Sequence, residues 1–236
     1  MRRRWIRRLA WSLACIPVVV AAFQIATWPD VGGLASENPA TTAFIERHRE
    51  RERAAGRSGD VKWTWMPLSR ISKSLALAVL VGEDDTFFDH DGFATAQMKA
   101  AIAEAWEEKK APRGASTITQ QVAKNLWLSP SRNPWRKVKE ALLTMHVERK
   151  LEKRRILEIH LNVAEFGPGV YGAEAGARHY FGKSAAALSD QEAAQLAAGL
   201  PKPSKWHPGS TSRAWQRRTR ILLGRMERSR WLVEGL

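Results

Sequence analysis

The longest apolar segment of the chain lies near its N-terminus, where the twenty residues 9–28 carry no charged side chain. At a rise of about 1.5 Å per residue, a helix of this length spans roughly 30 Å, the thickness of the hydrocarbon core of a bilayer. Five arginines precede the segment within residues 1–8, and Asp30 is the first charge after it. The positive-inside rule therefore predicts a single-pass transmembrane anchor, with residues 1–8 in the cytoplasm and the rest of the chain exported.

Three other interpretations of residues 9–28 stay open. A cleaved signal peptide has a shorter apolar run and a small-residue cleavage site, which Ala21 and Ala22 would supply. A lipoprotein site would use Cys15, although a long apolar run follows it, and a buried core helix would have to accommodate the arginines at its start. Because Cys15 is the one cysteine of the sequence, an intrachain disulfide and a cysteine-rich metal site are excluded.

The apolar pattern changes again after this segment. Residues 29–62 are rich in Pro, Gly, Ser, Thr and charge, so they predict an exported linker that includes a solvated, partly helical stalk. Residues 63–236 show apolar positions at helical spacing and predict one mainly α domain that ends in a basic tail. Its first helix begins after an N-cap at Ser69 or Ser72. The apolar side chains of that helix are Leu75, Leu77, Val79, Leu80 and Val81.

This first helix leads directly into three carboxylates, Glu83, Asp84 and Asp85. Carboxylates set against an apolar wall have raised pKa values, which suits proton transfer near neutral pH. His90 is placed to orient one of them, and Gly92 permits a turn. The alternative interpretation is an acidic helix end with a hydrogen-bonded histidine, and this segment alone does not separate the two.

A second helix follows a serine and threonine cap at residues 116–117. Its spacing places Thr117, Gln120, Gln121 and Lys124 on one face. Hydroxyl, amide and ammonium groups behind a helix N-terminus suit an anionic group such as a phosphate. An ordinary polar helix face is the alternative.

A third helix is predicted to begin near Arg136 and to continue to about residue 162, with Val138, Leu142 and Met145 facing the core. Arg136 and Lys137 lie one turn from Glu140, so this carboxylate is expected to stay ionised, unlike Glu83. Two carboxylates in contrasting environments commonly divide acid and base duties. A solvated salt-bridge face is the alternative here.

The net charge of +14, from 38 Lys and Arg against 24 Asp and Glu, at first suggests nucleic-acid binding. Most of the excess lies in residues 1–8 and from Lys202 onward, so the central part of the chain is nearly balanced. We therefore expect no nucleic-acid partner. The C-terminal tail predicts a helix whose apolar residues, Trp215, Ile221, Leu222 and Trp231, lie with its arginines against anionic lipid.

The order of the motifs resembles that of the peptidoglycan glycosyltransferases, which have a lysozyme-like helical fold. The resemblance covers roughly residues 63–207 and rests on EDDTFFDHDGF, GASTITQQVAKN, RKVKE, KRRILEIHLN and GAEAGARHYFGKSAAALSDQEAAQLA. The single anchor and the length are similar to the monofunctional members of the family. A transpeptidase domain would need a Ser-x-x-Lys and a Lys-Thr-Gly, and the sequence contains neither.

The resemblance implies a reaction and a set of site residues. Lipid II would be polymerised into β-1,4 glycan by inverting transfer from undecaprenyl diphosphate to a 4-hydroxyl group. Glu83 would be the general base, and Glu140 would help to hold the diphosphate, with a divalent metal (Mg²⁺ or Mn²⁺) near it as the only implied cofactor. The substrate-binding set carried over or inferred above is Asp84, Phe87, His90, Gly92, Ser116, Thr117, Gln120, Gln121, Lys124, Arg132 and Arg136.

Two positions depart from the family pattern: Ala94 replaces a frequent aspartate and His160 the usual tyrosine. The expected partners are lipid II, the nascent glycan strand, membrane lipids and other cell-wall synthesis or division proteins, with the catalytic domain on the periplasmic side of the bacterial inner membrane. A lytic enzyme of similar shape, which needs no cations for a diphosphate, and a membrane-anchored scaffold without catalysis are the remaining alternatives.

Overall fold

The computed structural model describes residues 27–96, 98–99, 103, 116–131 and 133–236, and in these ranges the chain is mainly α-helical. The helices are α1 (Ala43–Ala54), α2 (Lys73–Glu83), α3 (Ile118–Trp127), α4 (Pro134–Lys150), α5 (Lys153–Val163), α6 (Ala173–Phe181), α7 (Asp190–Gly199) and α8 (Arg213–Arg228). Three short strands, β1 (Lys62–Trp63), β2 (Glu165–Gly167) and β3 (Val170–Tyr171), form a sheet in the order β1-β3-β2. β1 is parallel to β3, and β2 is antiparallel to it.

Helix α2 lies at the centre of the domain. Its residues from Leu75 to Val81 are all buried, so it is apolar on every face and packs against α7 and α8. The Ser72 hydroxyl caps it by accepting from the Leu75 N–H at 3.2 Å, which confirms one of the two predicted caps. The helix ends at Glu83, and its central position therefore carries that carboxylate into the interior of the fold.

The segment predicted as a linker contributes to the folded domain. Val31 and Leu34 are buried in the main hydrophobic core, and α1, whose Ile45 is fully buried, packs on α3. The Thr42 hydroxyl caps α1 by accepting from the Ile45 N–H at 3.0 Å. The helical part of the stalk prediction is confirmed, but the helix packs against the domain and is not a solvated stalk. Its packed face was not evident from the sequence, because most residues of the helix are charged.

The long third helix of the sequence interpretation is two helices, α4 and α5, separated at Leu151 and Glu152. Both junction residues have extended backbone dihedrals, and the Leu151 side chain is buried in the core. No glycine or proline lies at the break, so the sequence contains no local signal for it.

The predicted inward face of α4 is wrong. Val138, Leu142 and Met145 are exposed, together with Trp135, whereas the core contacts are made by residues on the opposite face of the helix. Those buried residues are Glu140, Leu143, Thr144 and Val147. Apolar residues recur at helical spacing on both faces, so the spacing alone did not decide which one packs inward.

Both membrane predictions concern the ends of the chain. The expected anchor lies outside the described residues, apart from Thr27 and Trp28. Within the described ranges, every helix is too short or too polar to span a bilayer. In the tail, the predicted helix is α8, which ends at Arg228, so Trp231 lies beyond it in a short 3-10 turn. Trp215 and Leu222 are buried in the domain core and do not face lipid, whereas Ile221 and Trp231 are exposed.

Candidate active site

Glu83 stands at the C-terminal end of α2, and its side chain is only 12% exposed. Two neighbours hydrogen-bond its two oxygens: Gln121 Nε2 donates to Oε2 at 2.8 Å, and Arg218 Nη2 donates to Oε1 at 2.9 Å. Burial raises the pKa of Glu83, and the Gln121 hydrogen bond and the charges of Arg218 and Lys124 partly oppose this increase. The raised pKa confirms the expectation from the apolar wall, and it is the property required of a base that works near neutral pH.

Lys124 of α3 links this carboxylate to the second one. Burial lowers the pKa of Lys124, and the charges of Glu140 and Glu83 both oppose the decrease. The ammonium group also lies 5.8 Å from the centre of the Phe44 ring of α1. One cation therefore interacts with both carboxylates.

Glu140 of α4 is held by cations from its own helix. Arg136 Nη1 donates to Oε2 at 2.7 Å, and Lys137 Nζ forms an ion pair with Oε1. The side chain is 3% exposed, so both predicted ion pairs are confirmed and lie at a buried carboxylate rather than on a solvated face. Arg132, the other cation of the predicted set, lies outside the described residues.

The divalent metal predicted near Glu140 finds no suitable donor set among the residues that the structure describes. No cluster of three or more His, Cys, Asp or Glu side chains occurs in them, and both oxygens of Glu140 are already paired with cations. A divalent ion usually needs several oxygen ligands, so these residues do not fit one, and we derive no step through a metal.

Asp84 joins the two helices that carry Glu83 and Lys124. The side chain is buried, and its Oδ2 accepts from the Ile118 N–H at the start of α3 at 3.0 Å. His90 donates to the same carboxylate from Nε2, since its Nδ1 accepts from the Gly92 N–H at 3.1 Å. His90 thus orients a carboxylate as predicted, and the carboxylate in question is Asp84.

Gly92 contributes to this arrangement through its backbone conformation, and Phe87 through its packing in the core. Gly92 has φ +86°, and a Cβ atom there would come within 2.8 Å of Thr144 Cγ2, so glycine is required both for the turn and for the close approach of α4. Phe87 is fully buried in the main core. Both residues therefore shape the site without facing its cleft.

Thr117 and Gln120 differ from the expectation of a shared binding face. The Thr117 hydroxyl accepts from the Gln120 N–H, and the Gln120 side chain accepts from the Thr117 N–H at 2.9 Å, which is a capping box. Both side chains are buried. Their polar groups are used to start α3, which leaves Gln121 and Lys124 to face the site; Ser116, half-buried, comes immediately before the cap.

Two neighbours of the site were not identified from the sequence. His160 is fully buried, and its Nε2 lies 3.3 Å from Gln121 Oε1, behind the amide that binds Glu83. Its departure from the family pattern was visible, but its contact was not. Arg218 is one of several arginines in the basic tail, and no motif distinguishes it from them.

A cleft of about 510 Å³ opens beside Gln121 and Lys124. Its other walls are Phe44 and Arg51 of α1, Glu165 of β2 and the loop that follows α7, residues 200–205. The cleft is large enough for part of a sugar chain, and it gives solvent access to the amide and ammonium groups beside Glu83.

Comparison with known proteins gives consistent results. The sequence profile of the family described as Transglycosylase matches residues 51–227. A "Biosynthetic peptidoglycan transglycosylase" from Bordetella avium is 39% identical over 232 residues, which cover 95% of each chain. Proteins with the same name from Methylobacillus flagellatus and Aromatoleum aromaticum are 39% and 46% identical, over 94% and 72% of this chain and 97% and 74% of their own.

Proposed function

We propose that this chain, a peptidoglycan glycosyltransferase of cell-wall synthesis that belongs to the transglycosylase family, polymerises lipid II with Glu83 as the general base. In this reaction the 4-hydroxyl of the acceptor sugar attacks the anomeric carbon of the donor, the bond to the undecaprenyl diphosphate breaks, and the hydroxyl proton passes to Glu83. The product is a glycan lengthened by a β-1,4 link. A single displacement of this kind inverts the anomeric carbon and needs no covalent intermediate.

The observation that carries this proposal is the environment of Glu83. Burial raises its pKa, while hydrogen bonds from Gln121 and Arg218 supply donors that stabilise the ionised form. A base of this kind accepts a proton more readily than an exposed glutamate does, and general base catalysis contributes typically 10²–10⁴-fold in rate.

Cations beside the second carboxylate support the assignment of the leaving group. Lys124, Arg136 and Lys137 surround Glu140, and a departing diphosphate develops negative charge that such preorganised cations stabilise. We assign Glu140 the task of holding these side chains in place. Arg132 is proposed to join them, and a lytic enzyme, the nearest alternative, would have no use for this group of charges.

A membrane location is part of the proposal. The exposed apolar stripe of α4, which consists of Trp135, Val138, Leu142 and Met145, is flanked by cations of the same helix, a composition typical of helices that lie at a bilayer surface. Trp28, at the end of the predicted anchor, donates from Nε1 to His146 Nδ1 of α4 at 2.8 Å. We therefore propose that residues 9–28 anchor the chain in the inner membrane, with the domain on its periplasmic side and α4 toward the lipid.

The experiment is polymerisation of radiolabelled lipid II by the purified chain in detergent. The wild type is expected to produce polymer that lysozyme digests, and Glu83→Gln to lose at least ~100-fold in rate. Glu227→Gln, at an exposed position of α8, is the matched control and should keep full activity. Full activity of Glu83→Gln would show that another group is the base, and release of fragments from finished glycan without polymer would identify a lytic enzyme.

A further inference from the structure

The C-terminal helix α8 packs across the end of α2 that carries Glu83. Leu222 is buried against Gly82, where a Cβ atom would approach Leu222 Cδ2 to 3.2 Å, so glycine allows the two helices to come close. The indole of the buried Trp215 donates to the Gln195 carbonyl of α7 at 3.0 Å. These contacts fix the position of α8 relative to the active site.

Two arginines of α8 contact the last turn of α2. Arg225 Nη1 donates to the Val81 carbonyl at 3.1 Å, and Arg218 Nη2 donates to the Gly82 carbonyl at 2.9 Å. Cations stabilise a helix C-terminus because the last carbonyl groups have no partner within the helix. Arg218 differs from Arg225 in one respect, since it also forms an ion pair with Glu83 Oε1 at 2.9 Å.

Few other charges face Glu83. Lys124 of α3 is the second cation, while Gln121 of α3 and His160 of α5 behind it form the neutral side of the pocket. Because burial lowers the pKa of His160 to about 4, its ring is neutral at physiological pH.

The two nearby carboxylates have partners of their own. Asp84, next in the chain, is directed toward His90 and the Ile118 N–H, and Glu140 of α4 is paired with cations of its own helix. Arg218 and Lys124 are therefore the two cations that lower the pKa of Glu83 against the effect of burial. Lys124 is shared with Glu140, whereas the described contacts of Arg218 on acidic groups are with Glu83 alone.

The guanidinium of Arg218 is held through one of its nitrogens. Nη2 makes both contacts with the end of α2, whereas the buried Nε has no hydrogen-bond partner among the described residues. The nitrogen that fixes the side chain is thus the one that contacts Glu83.

We propose that Arg218 is a positioning residue of the glycosyl transfer: it holds the Glu83 carboxylate in one orientation and keeps it ionised, so that Oε2 can accept the proton of the acceptor hydroxyl. This inference rests on the proposed role of Glu83 as the base. Through Arg218, α8 becomes part of the catalytic apparatus, although the five motifs of the sequence analysis all end before this helix.

The test is the pH dependence of kcat/KM for lipid II polymerisation by the full chain in detergent. Loss of the positive charge in Arg218→Gln should move the acidic limb of the profile to higher pH by on the order of one unit, because an opposite charge in contact lowers a carboxyl pKa by about that much or more. At pH values below both limbs the variant should then lose about tenfold in rate, and the loss should disappear as the pH is raised above both.

Three further variants separate the explanations. Arg225→Gln removes a cap from the same end of α2 but leaves the charge beside Glu83, so the acidic limb should stay unchanged. If Arg218 acted only by stabilising the end of α2, the two variants would behave alike. Arg218→Lys keeps the charge, so its acidic limb should lie close to that of the wild type, with a lower kcat. If Arg218→Gln does not fold, this lower kcat with an unshifted limb is the measurement that tests the positioning role. Glu83→Gln tests the base itself.

The outcomes are distinguishable. An inactive Glu83→Gln with a shifted limb in Arg218→Gln supports the inference. An inactive Glu83→Gln with an unshifted limb in Arg218→Gln, or a limb in Arg218→Lys displaced as far as in Arg218→Gln, overturns the inference and leaves the base assignment intact. An active Glu83→Gln overturns the proposed function together with the inference.

Discussion

The imidazole Nε2 of His160 donates to Oε1 of Gln121 at 3.3 Å, and this contact determines which end of the Gln121 amide faces Glu83. With its oxygen bound to His160, the amide presents its NH₂ group to Glu83 Oε2 at 2.8 Å. The carboxylate is thus held from α3 and α5 on one side and from α8 on the other.

Removal of the imidazole should therefore reduce turnover more than binding. We expect His160→Phe to lower kcat by roughly tenfold, the effect of losing about one hydrogen bond, with a smaller change in KM for lipid II. Steady-state kinetics in detergent would measure both constants. His160→Tyr, which restores a donor, is the matched control and should recover most of the loss. An unchanged kcat in His160→Phe would contradict the positioning of Gln121 by His160.

The buried His160 should also make stability dependent on pH. Burial and the nearby Lys124 lower its pKa to about 4, below the ordinary value of about 6.5 that holds in the unfolded chain. Between these values the unfolded state binds more protons, so the contribution is complete above pH 6.5 and declines as the pH falls toward 4. From pH 7.5 to 5 this group should remove ~2 kcal/mol from the free energy of unfolding. Denaturant titrations of the wild type and His160→Gln should differ by this amount, and parallel curves would contradict the prediction.

Gly92 should be among the positions that tolerate substitution least. Gly92→Ala adds a Cβ atom at φ +86°, within 2.8 Å of Thr144 Cγ2 and 2.9 Å of Glu148 Cγ, so strain and overlap together should cost at least ~2 kcal/mol. Gly56→Ala is the matched control, since Gly56 has φ +74° with nothing within 4 Å of the added atom. It should cost ~1 kcal/mol for the dihedral alone. Equal losses in the two unfolding midpoints would show that the overlap at Gly92 is relieved.

The exposed stripe of α4 should be embedded in lipid. With Cys15 replaced by serine, a spin label at Leu142→Cys in the reconstituted full chain should be accessible to oxygen and protected from a water-soluble nickel chelate. A label at Glu50→Cys, which replaces an exposed charged residue of α1, should show the opposite pattern. Equal accessibility of the two labels to the chelate would contradict the proposed orientation.

Local signals identified the elements that carry chemistry. The Ser72 cap, the apolar run before Glu83 and the one-turn spacing of Arg136 and Glu140 are properties of neighbouring residues, so the sequence contained them. The capping box at Thr117 and Gln120 is equally local, but the same spacing also fits a binding face, and only packing decided between the two.

Features that depend on distant contacts could not be read in this way. The break at Leu151 and the inward face of α4 depend on how these helices pack in the core. The spacing of apolar residues along the chain specifies neither of them. The pairing of Arg218 with Glu83 joins residues 135 positions apart, and the contact of His160 with Gln121 joins residues 39 apart. Neither pair has a sequence signature, because each depends on how complete helices are arranged.

The distance along the chain between Glu83 and Arg218 has a consequence for biogenesis. A polypeptide translated only as far as α7 already carries Glu83, Lys124 and Glu140, but it lacks the guanidinium that pairs with Glu83. It also lacks the side chains of α8, among them the buried Leu222, that cover the end of α2. On the proposed role of Arg218, synthesis must therefore reach α8 before the site around the base is complete.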